Sequence, residues 1–340
     1  MTIQLKRTFK RISLWLGLVL FMVYFTGCDE DDSVDPLGNW LELSDFEGIP
    51  RSDAASFQIG DKGYVVGGYD GFDRLKDVWE YDYIRDFWVQ KADFPAIERN
   101  SAVGFSIGNQ GYIGTGYDGK NELGDFWVFN PDSNAWTAKA DFGGSPRYGA
   151  VGFSLDGKGY IATGYDGNNL KDMWEYDPTA DSWTQQVSVG GSKRVDGFVF
   201  VLNGKAYVGG GRNNGVYEDD FWEYDPATKE WTRKADLVND EDDGIDDYNI
   251  VRSNAISFAT SSKGYLGLGF NGGNRVDVWE YEPVQDFWVE KTDFEGVPRN
   301  GAVSFSFDNK GFFLTGTSGG TSAFDDVWLF EPDIENDEDD

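Results

Sequence analysis

The sequence contains no histidine and only one cysteine, Cys28. Without histidine, the chain lacks the usual general base at neutral pH and the commonest transition-metal ligand. Ser-His-Asp triads and histidine-based zinc sites are therefore excluded. A single cysteine cannot form a disulfide within the chain, so Cys28 needs another role.

Basic residues are also scarce, with 29 Lys and Arg against 60 Asp and Glu. Residues 1–27 carry four of the basic residues and no acid, which leaves 25 basic and 60 acidic residues, a net charge near −35, on the rest. Such a charge repels phosphate backbones, so we expect no nucleic-acid partner. The acidity suits cations or basic surfaces as partners, or simply the solubility of an exported protein.

The N-terminus has the anatomy of a signal peptide. Residues 1–11 form a segment with a positive charge, and residues 12–25 form an apolar run. This run is shorter than the roughly 20 residues that a membrane-spanning helix needs. Phe25-Thr26-Gly27-Cys28 follows and resembles the lipobox of bacterial lipoproteins. The resemblance implies a signal peptide over 1–27, a lipid on Cys28, and attachment in the bacterial cell envelope, at the outer membrane. An uncleaved anchor is the alternative.

Acidic segments follow the cysteine and end the chain. Residues 28–38 predict a solvated tether, and residues 333–340 predict a disordered tail. The tether also resembles the acidic export signals of some Bacteroidetes lipoproteins, which would place the protein on the cell surface. A tether without such a signal leaves a periplasmic location open.

Internal repeats organise the segment between them, residues 39–332. Arginines recur with spacings of 48, 48, 47, 58 and 47 residues, and two tryptophan series recur with them. The arginines are Arg51, Arg99, Arg147, Arg194, Arg252 and Arg299. Six units follow. Each contains four strand-length runs separated by turn residues, as in 99–107, 111–117, 125–129 and 136–142.

These units resemble kelch repeats, which form the blades of a β-propeller. The resemblance includes glycine pairs such as Gly67-Gly68, Pro-Arg starts such as Pro50-Arg51, and a tyrosine seven residues before a tryptophan. It implies an all-β, six-bladed propeller. The sixth unit lacks its last strand, and Trp40-Leu41-Glu42-Leu43 has no unit before it. We therefore expect the N-terminal strand to complete the last blade and remove the exposed sheet edges.

Residues that recur in every unit are best explained by packing. We expect the twelve repeated tryptophans and the aspartates two positions before one series, such as Asp77, to be structural. The arginines have two interpretations. They either tie strands together or stand around the mouth of the central channel.

The loops between the second and third strands are the richest in polar and aromatic side chains. Strand alternation places them on the same face as the connections between blades. We expect this loop-rich face to bind the ligand. Its candidate residues are the six repeated arginines with Tyr69, Tyr117, Tyr165, Arg212 and Asn271. The alternative is that Tyr-Asp-Gly is simply good turn chemistry.

A ten-residue insertion after the fourth unit interrupts the repeat. Oxygen ligands at Asn239, Glu241 and Asp243, followed by Gly244 and Asp247, partly resemble a calcium-binding loop. The bidentate glutamate of such loops is replaced by Ile250. Ca²⁺ is the one candidate cofactor, none is required, and a solvated acidic loop is the alternative.

The sequence favours a binding or scaffold protein, with a protein or glycan partner, over an enzyme. No catalytic residue is assigned. The alternative is a sugar epimerase or mutarotase, because similar six-bladed kelch proteins include a periplasmic sialic acid mutarotase. Epimerisation could use arginine and carboxylate side chains without histidine.

Overall fold

The computed structural model describes residues 36–240 and 247–337. Within these ranges the chain is all-β and has no helix. It follows that no helix there is long and apolar enough to cross a membrane. The signal peptide and Cys28 lie outside the described residues.

The strands are grouped in six four-stranded antiparallel sheets, which are the blades. The strand that completes the last blade is β1 (Asn39–Glu42). Blades 1 to 3 contain β2 (Ala55–Ile59), β3 (Lys62–Tyr69), β4 (Arg74–Asp82), β5 (Phe87–Gln90), β6 (Val103–Ile107), β7 (Gln110–Gly114), β8 (Phe126–Asn130), β9 (Ala135–Ala138), β10 (Val151–Leu155), β11 (Lys158–Ala162), β12 (Met173–Asp177) and β13 (Ser182–Gln186).

Among the other three blades, blades 4 and 6 also carry a short hairpin in a loop, and a third short hairpin lies in the insertion. Blade 4 and the insertion contain β14 (Phe198–Leu202), β15 (Lys205–Gly209), β16 (Arg212–Asn213), β17 (Val216–Tyr217), β18 (Phe221–Asp225), β19 (Glu230–Arg233), β20 (Val238–Asn239) and β21 (Tyr248–Asn249). Blades 5 and 6 contain β22 (Ile256–Ala259), β23 (Gly264–Gly267), β24 (Val278–Glu282), β25 (Phe287–Lys291), β26 (Val303–Phe307), β27 (Lys310–Leu314), β28 (Thr317–Gly319), β29 (Ser322–Ala323) and β30 (Val327–Glu331).

The blades form a closed ring, which confirms the predicted six-bladed propeller. The first strands of successive blades contact one another, and those of blades 6 and 1 also touch. These six strands surround the central channel. The buried apolar side chains form six clusters, each drawn from two neighbouring blades, including the pair of blades 6 and 1.

The N-terminal strand completes the last blade, as predicted. In this sheet β1 pairs antiparallel with β30, and Trp40 lies opposite Phe330. The Trp40 side chain is 1% exposed and lies 4.5 to 5.0 Å, between ring centroids, from Phe294, Phe313 and Phe330. One indole thus joins the first strand of the domain to the last two blades.

The repeated arginines hold each blade together from inside. In blade 3, Arg147 is fully buried, and its Nη1 and Nη2 atoms donate to the Asp172 carboxylate at 2.7 and 2.9 Å. Nη1 also donates to the carbonyl of Thr163, and Nε to that of Ser145. The same carboxylate accepts from Trp174 Nε1 at 2.8 Å. Each other blade has its own Arg–Asp pair: Arg51 with Asp77, Arg99 with Asp125, Arg194 with Asp220, Arg252 with Asp277, and Arg299 with Asp326.

A ring of backbone hydrogen bonds links the blades just outside the channel. The glycine that follows the second strand's Gly, Thr or Leu donates its backbone N–H to the carbonyl of the arginine in the next blade, at 2.7 to 2.9 Å. The sixth bond, from Gly316 to Arg51, closes the ring. Gly68 shows why glycine is needed, because φ is 107° and a Cβ there would lie 2.8 Å from the Ser52 carbonyl oxygen.

The two ends of the described chain meet on the face opposite the loop-rich face. Hairpin turns dominate this face, and we call it the turn face. The Gly38 N–H donates to the carbonyl of Ile334 at 2.8 Å, and the Asp337 N–H donates to Asn39 Oδ1 at 2.8 Å. Residues 36–38 of the predicted tether and 333–337 of the predicted tail therefore lie against the domain.

Replacing Trp40 by alanine tests the closure. We expect Trp40→Ala to lower the free energy of unfolding by about 3–5 kcal/mol, because the change leaves a cavity between the last two blades. Urea denaturation measures the loss. Val284→Ala is the control, since Val284 is 89% exposed and its truncation should change stability little. A loss below about 1 kcal/mol for Trp40→Ala would show that β1 does not hold the ring closed.

The buried ion pairs make a second prediction. Arg147→Ala removes a fully buried guanidinium group and leaves the partly buried Asp172 carboxylate without its counter-charge, so we expect a loss of about 3–5 kcal/mol in the free energy of unfolding. The exposed pair Arg233–Asp236 is the control, and Arg233→Ala should cost less than about 1 kcal/mol. Adding Asp172→Ala to Arg147→Ala should recover part of the loss. Equal losses for Arg147→Ala and Arg233→Ala would contradict a structural role of the buried pair.

Candidate functional site

The structure places the six repeated arginines inside the blades, not on the ligand-facing surface. Their side chains are 0 to 2% exposed. Each guanidinium group is hydrogen bonded to its own blade, as described for Arg147. The hypothesis that they line the channel mouth therefore needs correction, because no donor is presented to a ligand there. Their role is structural.

The loop-rich face instead brings together two residues from each blade around the channel mouth. The first of the two residues directly follows the repeated arginine, and the second lies eighteen positions after that arginine. The two residues form an antiparallel backbone bridge. Tyr69, Tyr117, Tyr165 and Arg212, all candidates from the sequence, occupy the second position. The six pairs are Ser52–Tyr69, Asn100–Tyr117, Tyr148–Tyr165, Val195–Arg212, Ser253–Phe270 and Asn300–Thr317.

Below this rim, a second closed ring narrows the channel. The ring is formed by the residue two positions after each repeated arginine. The backbone N–H of each of these residues donates to the carbonyl of the equivalent residue in the preceding blade, at 2.7 to 3.0 Å. All six residues have φ between 50° and 63°, a left-handed conformation. We call them the neck ring: Asp53, Ser101, Gly149, Asp196, Asn254 and Gly301.

Two carboxylates lie on opposite sides of the neck ring. Asp53 belongs to blade 1 and Asp196 to blade 4, three blades away. A Cβ on Gly149 would lie 2.3 Å from Asp196 Oδ1, and a Cβ on Gly301 would lie 2.6 Å from Asp53 Oδ1. The carboxylates therefore occupy space that is open only because these two positions are glycine.

The two acids differ in their partners. Arg212 Nη2 donates to Asp196 Oδ2 at 2.7 Å. Asp53 accepts a hydrogen bond from the Ser52 hydroxyl at 3.1 Å. Burial, and then the negative charge of Asp196, raise the pKa of Asp53 to about 6. Burial also raises the pKa of Asp196, although the hydrogen bond from Arg212 opposes the rise. Asp53 is therefore the acid that ionises close to neutral pH.

Tyrosine rings line half of the mouth. Tyr148 lies 5.3 Å from Tyr117 and 5.4 Å from Tyr165, between ring centroids. Arg74 lies between Tyr69 and Tyr117, with its guanidinium carbon 5.2 and 5.0 Å from their ring centroids. These four tyrosines are the aromatic arc. Arg74 Nε also donates to Asn100 Oδ1 at 2.9 Å, which fixes the side chain in this position.

The other candidate residues lie away from the mouth. Asn271 supports its loop, since its Nδ2 donates to the carbonyl of Val251 at 2.9 Å. Of the candidate calcium ligands, Asn239 pairs with Tyr248 across β20 and β21, while Glu241 and Asp243 lie outside the described residues. Asp247 is described and exposed. Arg275 donates to the carbonyl of Asn249, which places the insertion on the loop-rich face.

Four residues of the mouth were not predicted from the sequence: Asp53, Asp196, Arg74 and Tyr148. A signal was present for the first two. The position two residues after each arginine reads Asp, Ser, Gly, Asp, Asn, Gly, whereas the arginine itself never changes. A position that varies inside an otherwise constant repeat is free of the packing constraint that the blades share.

Comparisons with known proteins agree with this architecture. The Kelch motif family matches residues 50–95, 146–189 and 193–237, which correspond to blades 1, 3 and 4. The solved structure of YjhT superposes with a TM-score of 0.69 at 16% sequence identity, covering 84% of this chain and 96% of that chain. The fold is a kelch-type propeller. A search of curated proteins by sequence found no match.

Asp53 gives the propeller a pH-dependent stability. Its pKa lies above that of an unfolded aspartate, so the folded state binds the proton more tightly and loses stability as the pH rises from about 4 to about 6. We expect Asp53→Asn to raise the free energy of unfolding by roughly 1–3 kcal/mol near pH 7.5, and to change it little near pH 4.

Thermal and urea denaturation at the two pH values measure this difference. Asp118→Asn is the control on the same face, because hydrogen bonds from the Asn121 and Lys120 segment lower the pKa of Asp118. It should not stabilise the protein at either pH. An Asp53→Asn effect of equal size at both pH values would contradict the ionisation argument.

Proposed function

We propose that this propeller is a binding protein whose ligand, a glycan or part of a protein, enters the channel mouth. One observation carries the proposal: the side chains that differ from blade to blade converge at this opening. The repeated arginines, the aspartates and the tryptophans of the third strands hydrogen bond to one another inside the blades. The mouth in contrast presents carboxylate, guanidinium, hydroxyl, amide and aromatic groups to the channel.

The chemistry of the mouth suits recognition of a polar ligand with flat or apolar faces. Tyrosine rings offer large contact surfaces at a low cost in conformational entropy, and their hydroxyls form hydrogen bonds. Concave sites with a few convergent polar groups are typical of ligand binding. Arg74 and Arg212 add charged donors on opposite parts of the rim.

The sequence adds a location to this proposal. With a lipid on Cys28, the protein would be attached to a bacterial membrane in the cell envelope, and the outer membrane fits the lipoprotein resemblance. The acidic segment after Cys28 would hold the propeller away from the lipid surface. Ca²⁺ binding by the insertion, with Asn239, Glu241, Asp243 and Asp247 as ligands, is a separate proposal that thermal unfolding with Ca²⁺ and with EDTA would test.

Binding to arrays of immobilised glycans and peptides tests the location of the site. We expect every ligand captured by the native protein to lose at least about tenfold in affinity with Tyr148→Ala or Arg212→Ala, since both truncations remove contact groups at the mouth. Val284→Ala, on the turn face, should bind like the native protein. Ligands that survive both mouth substitutions, or that are lost with Val284→Ala, would move the binding surface away from the mouth.

A sugar epimerase or mutarotase is the second candidate, and one observation favours it. Asp53 has a pKa of about 6, so this acid could exchange protons at neutral pH in a chain without histidine. Polarimetry of free sialic acid and other reducing sugars would detect the activity. An acceleration that Asp53→Asn abolishes would favour the enzyme. Anomer exchange at the uncatalysed rate would leave the binding function.

A further inference from the structure

The neck ring encloses a cavity of about 130 Å³ at the base of the mouth. Its walls are small side chains, since alanine or glycine follows every neck-ring residue. Asp53 and Asp196 are the charged residues in the lining. The cavity is therefore narrow, bounded by small residues, and flanked by carboxylates on two opposite sides.

Only one of the two carboxylates forms an ion pair with the protein. Arg212 neutralises Asp196 through a 2.7 Å ion pair. Among the described residues, no basic side chain lies within ion-pair distance of Asp53. Arg74, the other cation of the mouth, is held between two tyrosine rings and donates to Asn100. A carboxylate charge in a narrow cavity is costly without a counter-charge, so the cavity favours a ligand that supplies a positive group.

A metal ion is not the cation that this cavity suits. Ca²⁺ takes six to eight oxygen ligands, and the neck-ring carbonyls already accept the hydrogen bonds of the ring. In the part of the chain that the structure describes, no group of three or more acidic or cysteine side chains is placed to hold a metal. An ammonium group needs fewer partners, because it carries three donors on a compact head.

We propose that the neck cavity binds a primary ammonium group of the ligand, with Asp53 as the residue that determines this specificity. The inference rests on the proposed function, that the ligand enters the mouth. The ammonium group lies between Asp53 and Asp196 and donates to Asp53, while Asn254 and Ser101 face it from the other two sides of the ring. The stem that carries the group passes the aromatic arc.

An amino sugar and a lysine side chain both present this chemistry. Matched pairs separate them: glucosamine against N-acetylglucosamine, and Nα-acetyl-lysine methylamide against its Nε-acetylated form. Isothermal titration calorimetry with the full chain measures each affinity. We expect one free amine to bind at least about tenfold more tightly than its acetylated partner, because acetylation removes the charge. The pair that shows the difference identifies the source of the amine.

The variants make the assignment specific. Asp53→Asn should abolish the preference for the free amine, while Asp118→Asn, at a half-buried acid outside the neck ring on the same face, should retain it. Thermal unfolding checks that Asp53→Asn is folded. Equal binding of free and acetylated forms, no binding of either amine, or an unchanged preference in Asp53→Asn would each overturn the inference. The proposed function would be judged separately, by the effect of Tyr148→Ala and Arg212→Ala on the array ligands.

Discussion

Inside each blade, one guanidinium group joins three segments that are far apart in sequence. It donates to the carboxylate that precedes the third strand, to the carbonyl at the end of the second strand, and in most blades to a carbonyl just before the arginine itself. The carboxylate in turn accepts from a tryptophan of the third strand. Removing a guanidinium group would leave a partly buried acid without its counter-charge and a buried carbonyl without its hydrogen bond.

The backbone conformations at the channel depend on this pair. The carbonyl that the arginine holds belongs to a residue with φ near 60°, which is glycine in two blades, threonine in three and leucine in one. Left-handed conformations of Thr and Leu are unfavourable, so hydrogen bonds from the guanidinium group help to maintain them. The next residue then donates to the following blade, and a continuous ring of backbone bonds results. The scaffold thus leaves the mouth side chains free to differ.

The sequence predicted the scaffold far better than the site. Six arginines and two tryptophan series at a regular spacing were sufficient for the number of blades, and the missing last strand predicted the closure through Trp40. The arginines had two interpretations in the sequence, because spacing alone does not tell whether a side chain points into a blade or into the channel. Their burial with the aspartates decided this in favour of structure.

The neck acids could not be predicted from the repeat itself. Asp53 and Asp196 come from units that are three repeats apart, and only closure of the ring brings them face to face. The contacts of Arg74 and Tyr148 with Tyr117 similarly form only when adjacent blades are packed together. A repeat pattern describes what the blades share, whereas the candidate site consists of what they do not share.

The meeting of the two chain ends on the turn face also determines how the protein could be presented to its surroundings. The chain reaches β1 on the side opposite the mouth, so a lead-in from a lipid on Cys28 would join the propeller at its rear. The attachment point and the mouth would then lie on opposite faces of the domain. Such an attachment would leave the whole rim accessible to large ligands.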